Sequence, residues 1–266
     1  MIIDTHVHIF PDFMAPRAIC NLESYSGLKA ETDGMVADTI AKMDAWGVDK
    51  AIVLAVATKA EQQDWLNAYA LTLDAEERLI GFGTVYPAAE DWEEQLQDIA
   101  DYGLKGIKLH PRYADVYADD PRIAAICRRA AELGLVIVFH AGTEPGLPGP
   151  WHVTPQRLAA LLDQLADVEN LKLVAAHMGS CEMWDEVEEF LVGRNICFDT
   201  GFCVGRIPEE QLLRIIKNHG ADKILFATDC PWGNAGEYAA YIRSLPLADE
   251  EKELIFHGNI ERLLGL

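Results

Sequence analysis

The chain is short of basic residues. It carries 22 Lys and Arg against 43 Asp and Glu, a formal net charge of -21 over 266 residues. A surface of that sign repels phosphate backbones and anionic lipid head groups, so neither nucleic acid nor a membrane is an expected partner. No apolar run approaches the ~20 residues a bilayer span needs. The six cysteines, Cys20, Cys127, Cys181, Cys197, Cys203 and Cys230, form no C-x-x-C pair. That scatter argues for reduced thiols in the cytoplasm over a disulfide framework. A cleaved leader would also remove the chemistry-bearing residues that begin at position 6, a second argument for the cytoplasm. No linker, low-complexity tract or clean repeat divides the chain, so a single domain over residues 1–266 is expected. After the first apolar run there is no glycine-rich phosphate loop. His6-Val7-His8-Ile9-Phe10-Pro11 stands there instead, which argues against a doubly wound dinucleotide-binding sheet.

Half the residues are hydrophobic, enough for a large core. They fall in eight short apolar runs: Ile2 to His8, Ala51 to Val56, Ile80 to Val85, Gly106 to Leu109, Leu135 to Phe139, Leu171 to Ala176, Asn195 to Asp199 and Lys223 to Ala227. Each has the length of a buried parallel strand. Helical stretches separate them. Asp120-Pro121 supplies a cap and a first-turn proline. Ile123, Ile126, Cys127 and Ala130 then line one face, and Gly134 ends the helix. Thr154-Pro155 opens another, with Leu158, Leu161, Leu162 and Leu165 at helical spacing, and Pro208 opens a third, with Leu212, Ile215 and Ile216. Eight strands alternating with helices predict a (β/α)8 TIM barrel, for which ~250 residues is typical. Residues 9–32 and 141–153 are expected to be lid-forming loops over one end.

In such a barrel, reactive side chains sit at the C-terminal ends of strands. Those ends carry His6 and His8, Lys108 and His110, His140, His177, and Asp229. Five of the eight histidines in the chain lie there. Residues i and i+2 of a strand share a face, so His6 and His8 can aim at one point. Lys108 and His110 alternate with Ile107 and Leu109 and should face the barrel interior. A cluster of neutral imidazoles and a carboxylate suits a divalent metal, zinc foremost.

Asp4-Thr5-His6-Val7-His8, Phe139-His140-Ala141-Gly142, Ala175-Ala176-His177-Met178-Gly179 and Phe226-Ala227-Thr228-Asp229-Cys230-Pro231-Trp232 together resemble the amidohydrolase superfamily. The match is to its amidohydrolase-related branch of hydrolases and decarboxylases. The tail Gly258 to Gly265 is similar to that branch's closing helix. The resemblance implies that His6, His8, His140 and Asp229 hold a divalent metal, one Zn(2+) per chain, with a second metal possible. It further implies that Asp229 takes a proton from an activated water. His177 would polarise that water or the substrate, or hold the second ion.

Other residues keep alternatives open. In parts of the superfamily a strand-four lysine is carbamylated and bridges two metals, a role Lys108 can fill. Otherwise Lys108, His110, Arg112 and Trp232 are expected to contact substrate. Arg112 or Arg206 can pair with a substrate carboxylate or simply form a surface ion pair. Trp151, Trp232 and Phe202 are candidate pocket walls. Asp4 lies deeper in its strand and reads as a structural acceptor. The substrate is expected to be a small molecule, either an amide, lactone or related carbonyl compound that is hydrolysed, or an aromatic or unsaturated acid that is decarboxylated. A homo-oligomer is an open expectation.

Overall fold

The computed structural model describes residues 1–266. The eight strands are β1 Ile3–Val7, β2 Lys50–Leu54, β3 Leu79–Thr84, β4 Gly106–Leu109, β5 Val136–Phe139, β6 Lys172–Ala175, β7 Cys197–Asp199 and β8 Ile224–Leu225. They pair in parallel in sequence order from β1 to β8. The ring closes where Thr5 N donates to Phe226 O (2.9 Å) and His8 N donates to Cys230 O (2.7 Å). The eight apolar runs of the sequence therefore are the eight strands, and the architecture is a single-domain (β/α)8 barrel.

The helices are α1 Ala15–Ser26, α2 Val36–Trp46, α3 Gln63–Leu73, α4 Trp92–Asp101, α5 Pro121–Glu132, α6 Pro155–Gln164, α7 Trp184–Phe190, α8 Glu209–His219, α9 Ala235–Ser244, α10 Asp249–Glu253 and α11 Asn259–Leu264. Local chemistry sets their starts. The Asp120 carboxylate accepts from Arg122 N at 2.9 Å, Thr154 Oγ1 from Arg157 N at 3.4 Å, and Asn234 Oδ1 from Glu237 N at 3.2 Å. Each such cap is worth about 1 kcal/mol. The faces read from the sequence are the buried ones: Ile123, Ile126, Cys127 and Ala130 on α5, Leu212, Ile215 and Ile216 on α8.

Two apolar layers result. The larger lies between strands and helices and holds Ile107 and Leu109. The smaller fills the barrel, with Ile3, Ile52, Leu54, Phe82, Val136, Val138, Val174 and Leu225, and Ile260 of α11 packs against it. Ile107 and Leu109 thus face outward, so Lys108 faces the interior, as the alternation predicted. Gly106 belongs to the same inward row. A Cβ there would meet the Phe82 ring at 2.3 Å and Val136 O at 2.5 Å, so only glycine lets Phe82 fill that level. At the chain's end Asn259, fully buried, donates to Ala221 O (2.7 Å) and Ile224 O (2.8 Å), tying α11 to β8.

One expectation is corrected. Residues 9–32 are not all loop, because α1 forms within them. Only Ala15 of α1 is buried, and Gly27 stops it at φ 70°. Ala15, Ala18, Ile19 and Leu22 stand at helical spacing, and Pro16 is tolerated in the first turn, where its missing N–H costs nothing. Residues 141–153 form no helix or strand, apart from one bridge between Gly142 and Cys181. Gly146 packs so closely on Tyr25 O of α1 that a Cβ would not fit, so the two segments meet.

Candidate active site

β1 is interrupted where it matters. Asp4 pairs with Ala51 and Val7 with Val53, so three steps on β1 oppose two on β2. Such a bulge re-aims side chains. The His6 and His8 rings converge, with centroids 5.1 Å apart. His6 Nδ1 lies 2.9 Å from Asp199 Oδ2, and His8 Nδ1 lies 3.0 Å from Leu54 O. A carbonyl or a carboxylate can only accept, so both Nδ1 atoms carry the proton and both Nε2 atoms keep a lone pair. Those lone pairs face Asp229 Oδ1, at 3.2 Å from His6 and 3.3 Å from His8. The three ligand atoms lie within 4.8 Å of one another.

The turns after β6 and β8 carry left-handed residues, His177 at φ 63° and Asp229 at φ 62°. Such conformations cost of order 1–3 kcal/mol each and persist only where the surroundings impose them. Around His177 the bonds are explicit. Its N–H donates to Asp199 Oδ1 (2.9 Å), and its Nδ1 donates to Gly201 O (3.0 Å). His177 Nε2 therefore also offers a lone pair, and it lies 3.2 Å from His140 Nδ1. His140 is absent from the His6–His8–Asp229 group and sits with His177 on one side and Glu144 on the other. The His140 Nε2 to Glu144 Oε1 distance is 3.8 Å. His110 stacks on His140, centroids 4.3 Å apart, and the Tyr113 ring packs on His110 at 4.2 Å. The structure thus makes three groups of donors: His6, His8 and Asp229; His6, His177 and Asp199; and His110, His140 and Glu144. The His140–His177 contact joins the last two.

The electrostatics suit a cation. Burial, with the Lys108 charge beside it, pushes the His6 ring down to about 4, so it is neutral at pH 7. Burial likewise holds His140 and His110 well below the ordinary histidine value. Burial works against ionised Asp229, but the surrounding histidines outweigh it and hold the carboxyl well below the usual carboxylate range. Lys108 Nζ, 1% exposed, donates to His6 Nε2 at 3.1 Å, and burial pushes the amine down to about 8. Neutral rings with their outer nitrogens engaged, an ionised carboxylate and inner lone pairs converging fit a divalent metal.

The sequence reading missed Asp199 and Glu144. Asp199 ends β7, and the strand-end rule that found the other residues would have found it. Burial opposes its ionisation, yet the His6 ring and the backbone donors of His177 and Gly201 keep it below its ordinary value. Glu144 comes from an irregular loop, where no periodicity marks it. Asp4 is structural, as expected. It accepts from Thr228 N (3.1 Å), Thr228 Oγ1 (2.5 Å) and His6 N (3.2 Å), which locks β1 to the turn before Asp229.

The arginines at the mouth are engaged. Arg112 donates to Pro148 O (2.9 Å) and Pro150 O (3.3 Å) and lies over Trp151. Arg206 stacks on Phe202 at 3.8 Å and pairs with Glu182 at 3.4 Å. Trp232 closes the turn after Asp229 through its backbone N–H, which donates to Asp229 O at 2.9 Å, and its side chain is half-buried.

A protein-family model described as amidohydrolase matches residues 3–266. No curated protein matches the sequence. Among solved structures, an uncharacterized TIM-barrel protein from Bordetella bronchiseptica is similar at 19% identity and a TM-score of 0.77, covering 99% of this chain and 98% of that one. A 5-carboxyvanillate decarboxylase from Sphingomonas paucimobilis is similar at 18% identity and a TM-score of 0.75, covering 100% and 99%. A dihydroxybenzoic acid decarboxylase from Polaromonas sp. JS666, with bound manganese and an inhibitor, is similar at 17% identity and a TM-score of 0.72, covering 100% and 97%. At these identities the likeness speaks for the fold.

Proposed function

Because the chain belongs to the amidohydrolase family, we propose that it is a metal-dependent hydrolase of a small carbonyl compound, an amide or lactone. The observation that carries this is the convergence of His6 Nε2 and His8 Nε2 on Asp229 Oδ1, with both outer nitrogens held by fixed acceptors. His6, His8 and Asp229 would hold one divalent ion, zinc by the character of its donors. His140 Nδ1 and His177 Nε2, 3.2 Å apart, would hold a second. When bound, the metal would polarise the carbonyl and lower the pKa of a coordinated water.

The chain's own residues manage the rest. Asp229 stays ionised and accepts the proton of an attacking water, then returns it to the leaving group. Asp199 fixes the His6 ring and, through the His177 N–H, the turn that carries His177. Lys108 donates to the same His6 lone pair that a metal ion needs, so its ammonium and the ion compete. Carbamylation by carbon dioxide, with loss of a proton, would turn that amine into a carboxylate and remove the conflict.

Decarboxylation of an aromatic or unsaturated acid is the second reading. The names of similar structures and the buried Lys108 ammonium favour it. Against it, neither Arg112 nor Arg206 is free to fork onto a substrate carboxylate. Turnover of a panel of lactones, amides and aromatic acids in 18O-labelled water decides the matter. Label in the organic product's carboxylate supports hydrolysis, and release of carbon dioxide with an unlabelled organic product overturns it.

A further inference from the structure

Glu144 is a mouth residue whose chemistry the hydrolytic scheme leaves unused. Its side chain is nine-tenths buried, 10% exposed. A carboxylate at that depth ordinarily accepts several hydrogen bonds. Glu144 accepts no hydrogen bond from the chain: Arg112 Nε pairs with it as an ion at 3.7 Å and His140 Nε2 lies at 3.8 Å, both beyond hydrogen-bond length. Arg112 is not free to close the gap. Its terminal nitrogens are fixed on Pro148 O and Pro150 O, so it clamps the loop that carries Glu144 and offers the carboxylate an ion pair through Nε but no hydrogen bond. Next to it, His110 Nδ1 and His140 Nε2 are buried without partners.

These three groups form a polar recess beside the His140–His177 pair. Their ligand atoms lie within 4.8 Å of one another, yet ring orientation makes a metal ion a poor occupant. The His110 and His140 rings are stacked with only 8° between their planes, and imidazole lone pairs lie in the ring plane, so the two cannot converge on one ion. Separate hydrogen-bond donors on an organic group can reach each acceptor in turn. Tyr113 lines the same recess, with its ring against His110, and Trp151 lies under Arg112. A carboxylate favours an amine over a second carboxylate by charge, and an amine supplies N–H donors.

We propose that Glu144 is a specificity-determining residue that recognises an amine on the substrate, so that the preferred substrates are amino-bearing amides or lactones and not di-acids. This rests on the hydrolase reading only in taking His6, His8 and Asp229 as the reacting end. The amine's N–H groups donate to Glu144 and to the open Nδ1 of His110. The Glu144 carboxyl, pushed up to about 7 by burial, regains the donors it lacks.

The test uses three matched probes, 4-(aminomethyl)benzamide, 4-methylbenzamide and 4-carboxybenzamide, titrated calorimetrically into the metal-loaded full chain. The amine probe should bind about tenfold or more tighter than the methyl probe, with the carboxylate weakest. Glu144→Gln should abolish that preference while leaving the methyl probe unchanged, and Glu144→Arg should invert it toward the carboxylate. Equal affinities, absence of amine binding, or a preference that survives Glu144→Gln overturns the proposal. So does loss of a metal equivalent in Glu144→Gln with selectivity intact, which would make Glu144 a support for His140. If the preference holds and no amide or lactone is hydrolysed, Glu144 stands and the hydrolase reading falls.

Discussion

Asp199 Oδ2 lies 2.9 Å from His6 Nδ1, and both side chains are 1% exposed. The same carboxylate's other oxygen accepts from the backbone of His177 and Gly201. One buried acid at the end of β7 therefore fixes the ring at the end of β1 and the turn at the end of β6.

Asp199→Asn should weaken metal binding by about 10–100-fold, because the amide cannot enforce the Nδ1–H form of His6. Chelator competition on the purified variant measures it. An unchanged affinity would show that His6 needs no such partner.

Removing the ions with a chelator should abolish turnover, and adding zinc or manganese should restore it. Asp229→Asn should fold normally and lose about 10²–10⁴ of kcat if the carboxylate carries protons. Full activity in the stripped enzyme would remove metal chemistry from the account.

His219 predicts a pH effect far from the site. It is 3% exposed, stacks on Phe198, donates to Ile196 O at 2.8 Å and accepts from Gly193 N at 3.0 Å. Burial is the main cause that lowers it from 6.5 to about 4. The unfolded chain thus binds a proton the folded chain refuses between those values. The His219 contribution is whole above about pH 6.5 and is lost as the pH falls toward 4. Its size is about 3 kcal/mol. Urea unfolding at pH 7 and pH 5 should show a smaller acid loss in His219→Gln than in the parent chain. An equal loss in both would refute this assignment.

Gly106→Ala should destabilise the barrel by about 1–3 kcal/mol or more, since the new methyl meets the Phe82 ring and Val136 O. The urea midpoint is the readout. Phe82→Leu in the same chain should recover part of the loss, and no recovery would place the strain on Val136 O alone.

Much of the fold was written locally. The eight apolar runs became the eight strands with ends shifted by a residue or two, because a strand buried on both faces must be apolar throughout. The parity of Ile107, Lys108 and Leu109 gave the lysine's inward direction for the same reason. Helix α1 carries helical spacing at Ala15, Ala18, Ile19 and Leu22, but Pro16 in its first turn and its single buried residue disguise it as loop. His140 was expected beside His6, His8 and Asp229. The structure turns it toward His177 and Glu144, a matter of side-chain direction that strand spacing does not carry.

The sequence by itself determined the barrel and the residues at its strand ends, since hydrophobic period and ligand-type side chains are local properties of the chain. Only the tertiary structure decided which nitrogen of each histidine is engaged, that Arg112 clamps a loop, and that Glu144 accepts no hydrogen bond. Those follow from contacts between residues far apart in the chain, such as His6 with Asp199 and Arg112 with Pro148. A hydrogen bond forms only where closure of the barrel brings donor and acceptor within about 3 Å.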